Sequence, residues 1–194
     1  ALYAFEEREL ILDIFEEVSG ARMMCNYLRF GGVVRDIQPN AMQKIKNLVF
    51  DRLQAKTDEM ERFLSENEVL VSRLKGVRVV DAETAIKYSV TGPVLRATGV
   101  PYDLRRADPY SVYDRFDFDV AVRYNGDMMD NYLIRIDEIR QSLRILEQAL
   151  KQIPEGPINS QKPAYQVRVP AGEAYGRIES PKGELAFYLV SNGK

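Results

Sequence analysis

A mainly α fold carrying a small antiparallel β segment, an α+β protein built on a helical-bundle core, is what this sequence predicts. Three observations lead there. Apolar residues recur at helical spacing over most of residues 1–153. Three prolines and one glycine then crowd "PEGPINSQKP", residues 154–163, a composition that interrupts regular structure and reads as a linker. Residues 164–194 switch to short runs rich in aromatic and β-branched residues, the signature of strands.

Each element has its own justification. In "FEERELILDIFEEVSG", Ile11, Ile14, Phe15 and Val18 fall at i, i+3, i+4 and i+7, and Glu6, Glu7 and Glu9 crowd the expected first turn, where the helix dipole favours anions. Gly20 is placed to end or bend that helix. "ARMMCNYLRF" reads as a second helical piece, stopped by Gly31 and Gly32. A longer helix is expected from Pro39, which suits a first turn, to about Leu64, with Ile45, Leu48, Val49, Leu53, Met60 and Leu64 inward. "VRVV" is a brief extended run, and Asp81 is the expected N-cap of a short helix through Tyr88. Asp127 is the expected cap of the last helix, whose stripe is Met129, Leu133, Ile136, Leu143, Leu146, Leu150 and Ile153. At least four helices with short connections make a bundle-like core. "YQVRV", "AYGRIE" and "LAFYLV" read as strands, the last two joined by the turn "SPKG".

Composition narrows the function. A chain of 194 residues with 45% hydrophobic and 29% charged residues is globular and long enough for a sizeable core. Its net charge of -2 gives no general reason to bind nucleic acid. No apolar run approaches the ~20 residues of a membrane span. The single Cys25 excludes an intrachain disulfide and an all-cysteine metal cage within the chain. With no histidine, a histidine-based triad or general base cannot be assembled from these residues. The opening on Ala1 and the close on "YLVSNGK" lead to the expectation of a piece of a longer protein.

The stretch Gly92–Val120 is too polar for core and too aromatic for a disordered linker. Arg96, Arg105, Arg106 and Arg115 interleave with Asp103, Asp108, Asp114 and Asp117, so bidentate arginine-carboxylate pairs could staple an irregular loop. Arg105 or Arg106 is therefore expected to pair with an aspartate of the same loop. Asp117 and Asp119, alternating with Phe116 and Phe118, would share one face of a strand, but nothing completes an oxygen-ligand set for a metal. "GPVLRATG" lacks phosphate-loop spacing.

Longer blocks carry a resemblance. "AFEERELILDIFEEVSGARMMCNYLRFGGVVRD", Thr91 to Gly99, "YDLRRADPYSVYDRFDFDV", "GDMMDNYLIRIDEIRQSLRILEQAL" and "IESPKGELAFYLVSNG" resemble, in order, the hydrogenase-like large subunit of respiratory complex I, the D subunit of NADH:quinone oxidoreductase. The likeness spans nearly the whole chain and corresponds to roughly the middle of such a subunit; a more distant one is to large subunits of membrane-bound nickel-iron hydrogenases. It implies a helical core of the hydrogenase large-subunit kind, packed against a small subunit that holds an iron-sulfur cluster, with quinone entering between them. NADH and quinone would serve the whole complex, this chain itself binding no cofactor or metal and supplying no catalytic residue. The head-group ligands would lie upstream of Ala1. Leu2, Phe5, Arg22, Arg29, Gly31 and Gly32 match positions that shape the cavity wall, with Ala1 in place of the motif's first aromatic. Arg22 and Arg29, seven apart, would share a helix face. The expected setting is the peripheral arm on the cytoplasmic side of the cell membrane, among other complex subunits, with no transmembrane segment and no nucleic acid. Left alone, a bare wall would favour self-association. Two alternatives stay open: a nickel-iron hydrogenase large subunit, or a helical interaction module without a redox role.

Overall fold

In the computed structural model, which describes residues 2–160 and 169–193, helix α1 runs Leu2–Ser19. Because it begins at Leu2, Glu6, Glu7 and Glu9 lie beyond its first turn. Its buried side is Glu7, Leu12 and Ile14, whereas Phe15 is exposed and Ile11 and Val18 are half-buried, so the arc is rotated from the predicted stripe. Arg52 causes much of that rotation. Its Nε donates to Glu7 Oε2 at 2.8 Å and its Nη2 to Glu7 Oε1 at 2.9 Å, which lets a carboxylate occupy an interior position. The helix ends where Gly20, at φ +84°, donates its N–H to Glu16 O at 2.8 Å.

The segment after Gly20 is not the second helix that the sequence suggested. Strand β1, Leu28–Arg29, pairs antiparallel with β2, Gly32–Val33, in the register Leu28↔Val33 and Arg29↔Gly32. Two forces explain the difference. Arg22 is drawn back onto carboxylates of α1, which reverses the chain, and Gly31 at φ +90° closes a two-residue turn that other residues rarely adopt. The beginning of the supposed linker then joins this hairpin. Gly32 bridges Asn159, Val33 N–H donates to Ile158 O at 3.0 Å, and Ser160 N–H donates to Gly31 O at 2.8 Å.

Helix α2, Pro39–Lys46, continues through a π-helical turn, Asn47–Arg52, into α3, Leu53–Ser65, matching the long helix expected there. Leu48 and Val49 are buried; Leu64, expected inward, is exposed. A short α4, Glu68–Leu74, follows, capped by Asn67, whose Oδ1 accepts Leu70 N–H at 3.1 Å. Val77–Val80 forms no strand, being tied by Val80 N–H to Gly126 O at 3.0 Å and by Met128 N–H to Val77 O at 3.0 Å. Asp81 caps α5, Ala82–Lys87, accepting Thr84 N–H at 2.7 Å.

The arginine-aspartate stretch is more regular than a loop. It holds α6, Gly92–Arg96, α7, Leu104–Ala107, and a 3-10 turn, Tyr113–Arg115. Asp127 caps α8, Met128–Gln152: its Oδ1 accepts Asp130 N–H at 2.8 Å and its Oδ2 accepts Gly76 N–H at 2.8 Å. The buried side of α8 is Asp130, Ile134, Ile136, Leu143 and Ile145, while Leu146 and Ile153 are exposed. β3, Gly172–Ser180, and β4, Gly183–Ser191, form an antiparallel hairpin around Pro181–Lys182, with Ile178↔Leu185 and Gly176↔Phe187 opposite each other. The strand expected at "YQVRV" lies, apart from Val169, outside the described residues.

Contacts divide the chain into Ala1–Lys56 with Ala149–Arg168, and Thr57–Gln148 with Val169–Lys194. The β3–β4 hairpin thus clusters with helices, and the division does not follow the bundle, linker and sheet read from the sequence. Leu12, Ile14, Ala41, Leu48 and Val49 are the buried apolar residues of the first unit. Leu95, Leu104, Phe118, Ile134, Ile136, Leu143 and Ile145 centre the second. No described helix is long and apolar enough to cross a membrane. The whole is α+β, with two small antiparallel sheets among helices.

Candidate functional site

Arg96, at the end of α6, is the most enclosed charge in the second unit, with 2% of its surface exposed. Its Nε donates to Glu138 Oε1 of α8 at 2.9 Å, and its Nη1 donates both to Glu179 Oε1 of β3 at 2.9 Å and to Tyr102 O at 2.9 Å. Asp103 stands 3.9 Å away. Burial works against the guanidinium charge, but the Glu138 and Glu179 carboxylates outweigh it and raise the Arg96 pKa. One side chain therefore fastens α6, α8 and β3 together.

The other residues of the stretch mostly reach outward too. Arg105 does pair within it, as a fork onto Asp103, with Nε to Oδ1 at 3.0 Å and Nη2 to Oδ2 at 2.7 Å. Burial pushes the Asp103 carboxyl up, yet Arg105 prevails and holds it below the usual carboxylate range. Arg106 takes no aspartate; it lies 4.2 Å over the Phe118 ring and donates to Phe118 O. Asp108 is held by Arg177 of β3 at 2.9 Å, and Asp117 and Asp119 are both held by Arg144 of α8, the latter at 2.9 Å. Asp114 and Arg115 are exposed, with no ion-pair partner among the described residues.

The six positions expected to shape a cavity wall all fall in the first unit. Leu2 begins α1. Phe5, 54% exposed, has the Arg8 guanidinium 5.9 Å above its ring. Arg22 is not on a helix; it lies across Glu9, Asp13 and Glu16 of α1, at 2.6 Å from Asp13 Oδ1 and 3.3 Å from Glu16 Oε2. Those hydrogen bonds, Asp13 first, raise its pKa. Arg29 lies in β1, so the shared helix face does not exist, and it donates to Asn26 O at 2.7 Å and Leu28 O at 3.0 Å. A Cβ on Gly31 would stand 2.2 Å from Ser160 Oγ, and one on Gly32 2.2 Å from Ile158 O. The glycine pair thus admits the 158–160 segment against the hairpin. Met23, Met24, Leu28 and Phe30 project around it, all strongly exposed.

Among the described residues no three of His, Cys, Asp and Glu converge as metal ligands. The ion pairs of the stretch neutralise its carboxylates rather than setting one up as a general base. What the arrangement can do is present surfaces: an apolar rim at α1 and the β1–β2 tip on one unit, and a rigid charged scaffold beneath β3–β4 on the other. Sequence reasoning missed Glu138 and Glu179, which complete the Arg96 cluster. They lie 42 and 83 residues from it, in segments whose local pattern gave no sign of them.

The model of the family described as "Respiratory-chain NADH dehydrogenase, 49 Kd subunit" matches residues 1–168 and 164–194. Among similar proteins, the D subunit numbered 1 of the NADH-quinone oxidoreductase of Roseiflexus sp. (strain RS-1) is 54% identical over 99% of this chain and 53% of its own length. The D subunit numbered 2 of the Herpetosiphon aurantiacus enzyme is 53% identical, and the D subunit of the Dehalococcoides mccartyi (strain ATCC BAA-2266 / KCTC 15142 / 195) enzyme is 52% identical, each over 99% of this chain and 52% of the relative. The chain spans about half the length of the curated relatives it matches.

Proposed function

Since the chain belongs to the respiratory-chain NADH dehydrogenase 49 Kd subunit family, we propose that it is part of the quinone-reducing module of an NADH:quinone oxidoreductase. In this reading its helical core is of the hydrogenase large-subunit kind and packs on a small subunit that carries an iron-sulfur cluster. Quinone enters between the two. The assembly forms the peripheral arm on the cytoplasmic side of the cell membrane, where electrons from NADH arrive through other subunits. This chain holds no cofactor and supplies wall rather than catalytic groups, with Leu2, Phe5, Arg22, Arg29, Gly31 and Gly32 in that role.

The observation that carries the reading is the uncovered apolar rim of the first unit. Phe5 on α1, and Met24, Leu28 and Phe30 around the β1–β2 tip, are 54%, 88%, 78% and 75% exposed. Scattered exposed apolar residues need no explanation, but a run of this kind marks a surface that meets another molecule. Arg22 and Arg29 are fixed by acceptors of their own unit, so the rim is held in shape before any partner arrives. The test is Phe5→Ala in the complete subunit, assembled in its complex. The expected result is a raised KM for quinone, with NADH oxidation by a water-soluble artificial acceptor unchanged. An unaltered quinone KM in a fully assembled complex would remove Phe5 from the wall.

A further inference from the structure

The β3–β4 hairpin is inverted relative to an ordinary half-buried sheet. Directly opposed residues share a face, so the register places Ala174, Gly176, Ile178, Leu185, Phe187 and Leu189 together. The other face carries Glu173, Tyr175, Arg177, Glu179, Glu184 and Tyr188. It is this polar face that engages the rest of the unit, through Glu179 to Arg96, Arg177 to Asp108 and Tyr102 Oη to Glu184 Oε2 at 3.3 Å. The apolar face is left outward. Ile178, Leu185, Phe187 and Leu189 are 43%, 44%, 70% and 50% exposed, together on the order of 400 Å² of apolar surface, at the upper range for a soluble monomer.

The outer edge of β4 is equally open. Glu184 N–H points away from β3, donating to Thr91 Oγ1 at 2.9 Å, so by alternation the N–H and C=O of Ala186, Tyr188 and Val190 point outward as well. Leu185–Val190, "LAFYLV", has no charge, proline or glycine. The devices that usually blunt an edge strand are missing along it.

We propose that a second copy of this chain docks here, β4 pairing antiparallel with β4 of the partner copy about a twofold axis at Phe187. Two requirements select this register. Residues with outward backbone groups must meet one another, which pairs Ala186 with Tyr188 of the partner copy; and both apolar faces must fall on the same side. Both are met when Phe187 meets its own counterpart and Leu185 meets Leu189. The Phe187 pair is then of the non-hydrogen-bonded kind, which brings side chains closest. Charges agree, since Glu184 falls opposite Val190 and no like charges meet. Such a contact covers roughly 1,000 Å² or less in total, the lower limit for a specific interface, so the dimer is weak and concentration-dependent.

Sedimentation velocity over a concentration series tests this, with circular dichroism to confirm folding of each variant. Ala186→Pro removes only an outward N–H, so the hairpin ladder with β3 is kept; Phe187→Lys places like charges at the twofold axis. Phe5→Lys reports on the α1 rim instead. The expected result is a shift from one toward two chains with concentration, lost in Ala186→Pro and Phe187→Lys and retained in Phe5→Lys. A monomer at every concentration overturns the proposal. So does a dimer that survives Ala186→Pro and Phe187→Lys, or one that Phe5→Lys alone abolishes.

Discussion

Replacing Arg96 by methionine removes a cation around which three carboxylates are arranged, and the cost can be apportioned among them. Asp103 keeps its Arg105 fork, so its charge stays neutralised. Glu138, with 19% of its side chain exposed, can recover part of its solvation. Glu179 cannot. Its side chain is 5% exposed, and without Arg96 it retains the Leu104 N–H at 3.2 Å. The expected penalty is that of one stranded buried carboxylate, about 3–5 kcal/mol. With a slope of ~2 kcal/mol per molar urea, the unfolding midpoint should fall by ~1.5–2.5 M. Glu179→Gln added to Arg96→Met removes the stranded charge and should restore a large part of the loss. Urea titration followed by circular dichroism measures both. A midpoint within ~0.3 M of the parent for Arg96→Met, a shift too small for any buried ion pair, would refute the reasoning. Failure of the second substitution to recover stability would locate the cost elsewhere.

Gly32→Ala should loosen the first unit. A methyl group would stand 2.2 Å from Ile158 O at a backbone φ of +151°, so the 158–160 segment must move, at a cost on the order of 2 kcal/mol. Faster amide exchange at Val33 and Ser160, with Val80 unchanged, is the expected readout; retained protection at both would contradict it. Stability should also fall in acid. Folding lowers the pKa of Asp103, where burial is outweighed by Arg105, and of Asp127, where it is outweighed by the Gly76 and Asp130 N–H groups. Their contribution is therefore complete above the unfolded carboxylate pKa of ~3.9 and is lost as pH falls through the lower folded values. Thermal melts should be level from neutrality to about pH 4.5 and decline below it; a decline beginning near neutrality would point to other groups.

The elements that could be read from the sequence are those whose cause is local. Asp81 and Asp127 cap helices because a short carboxylate suits the N-cap wherever it occurs, and "SPKG" turns because proline and glycine impose it. The helix misread into "ARMMCNYLRF" has a distant cause, in that Arg22 is held by residues up to thirteen positions earlier and Gly31–Gly32 by a segment more than 120 positions later. On α8 the stripe failed because Asp130 takes an interior place, accepting Tyr124 N–H at 3.1 Å and Asn125 N–H at 2.7 Å. A residue type normally assigned to solvent hid the true arc. Of the expected site, the identity of the residues in the arginine-aspartate stretch was legible and their partners were not. Helical spacing says which residues recur, and nothing about which remote carboxylate closes on a guanidinium.

Gly126 bears on how this fold tolerates change. It sits at φ +64°, with Val80 O where a Cβ would come within 2.1 Å, and its carbonyl accepts Val80 N–H. The same reasoning holds for Gly92 and Gly183, where a Cβ on the first would meet the Cα of the second at 2.4 Å. Here main chain rests directly on main chain. Such joints hold no ionisable group, so salt and acidity, which weaken the ionic cluster around Arg96, leave them untouched. They also cannot be adjusted by degrees, because the smallest possible side chain is already too large. The second unit thus combines fastenings that respond to the medium with others that answer only to the genetic code.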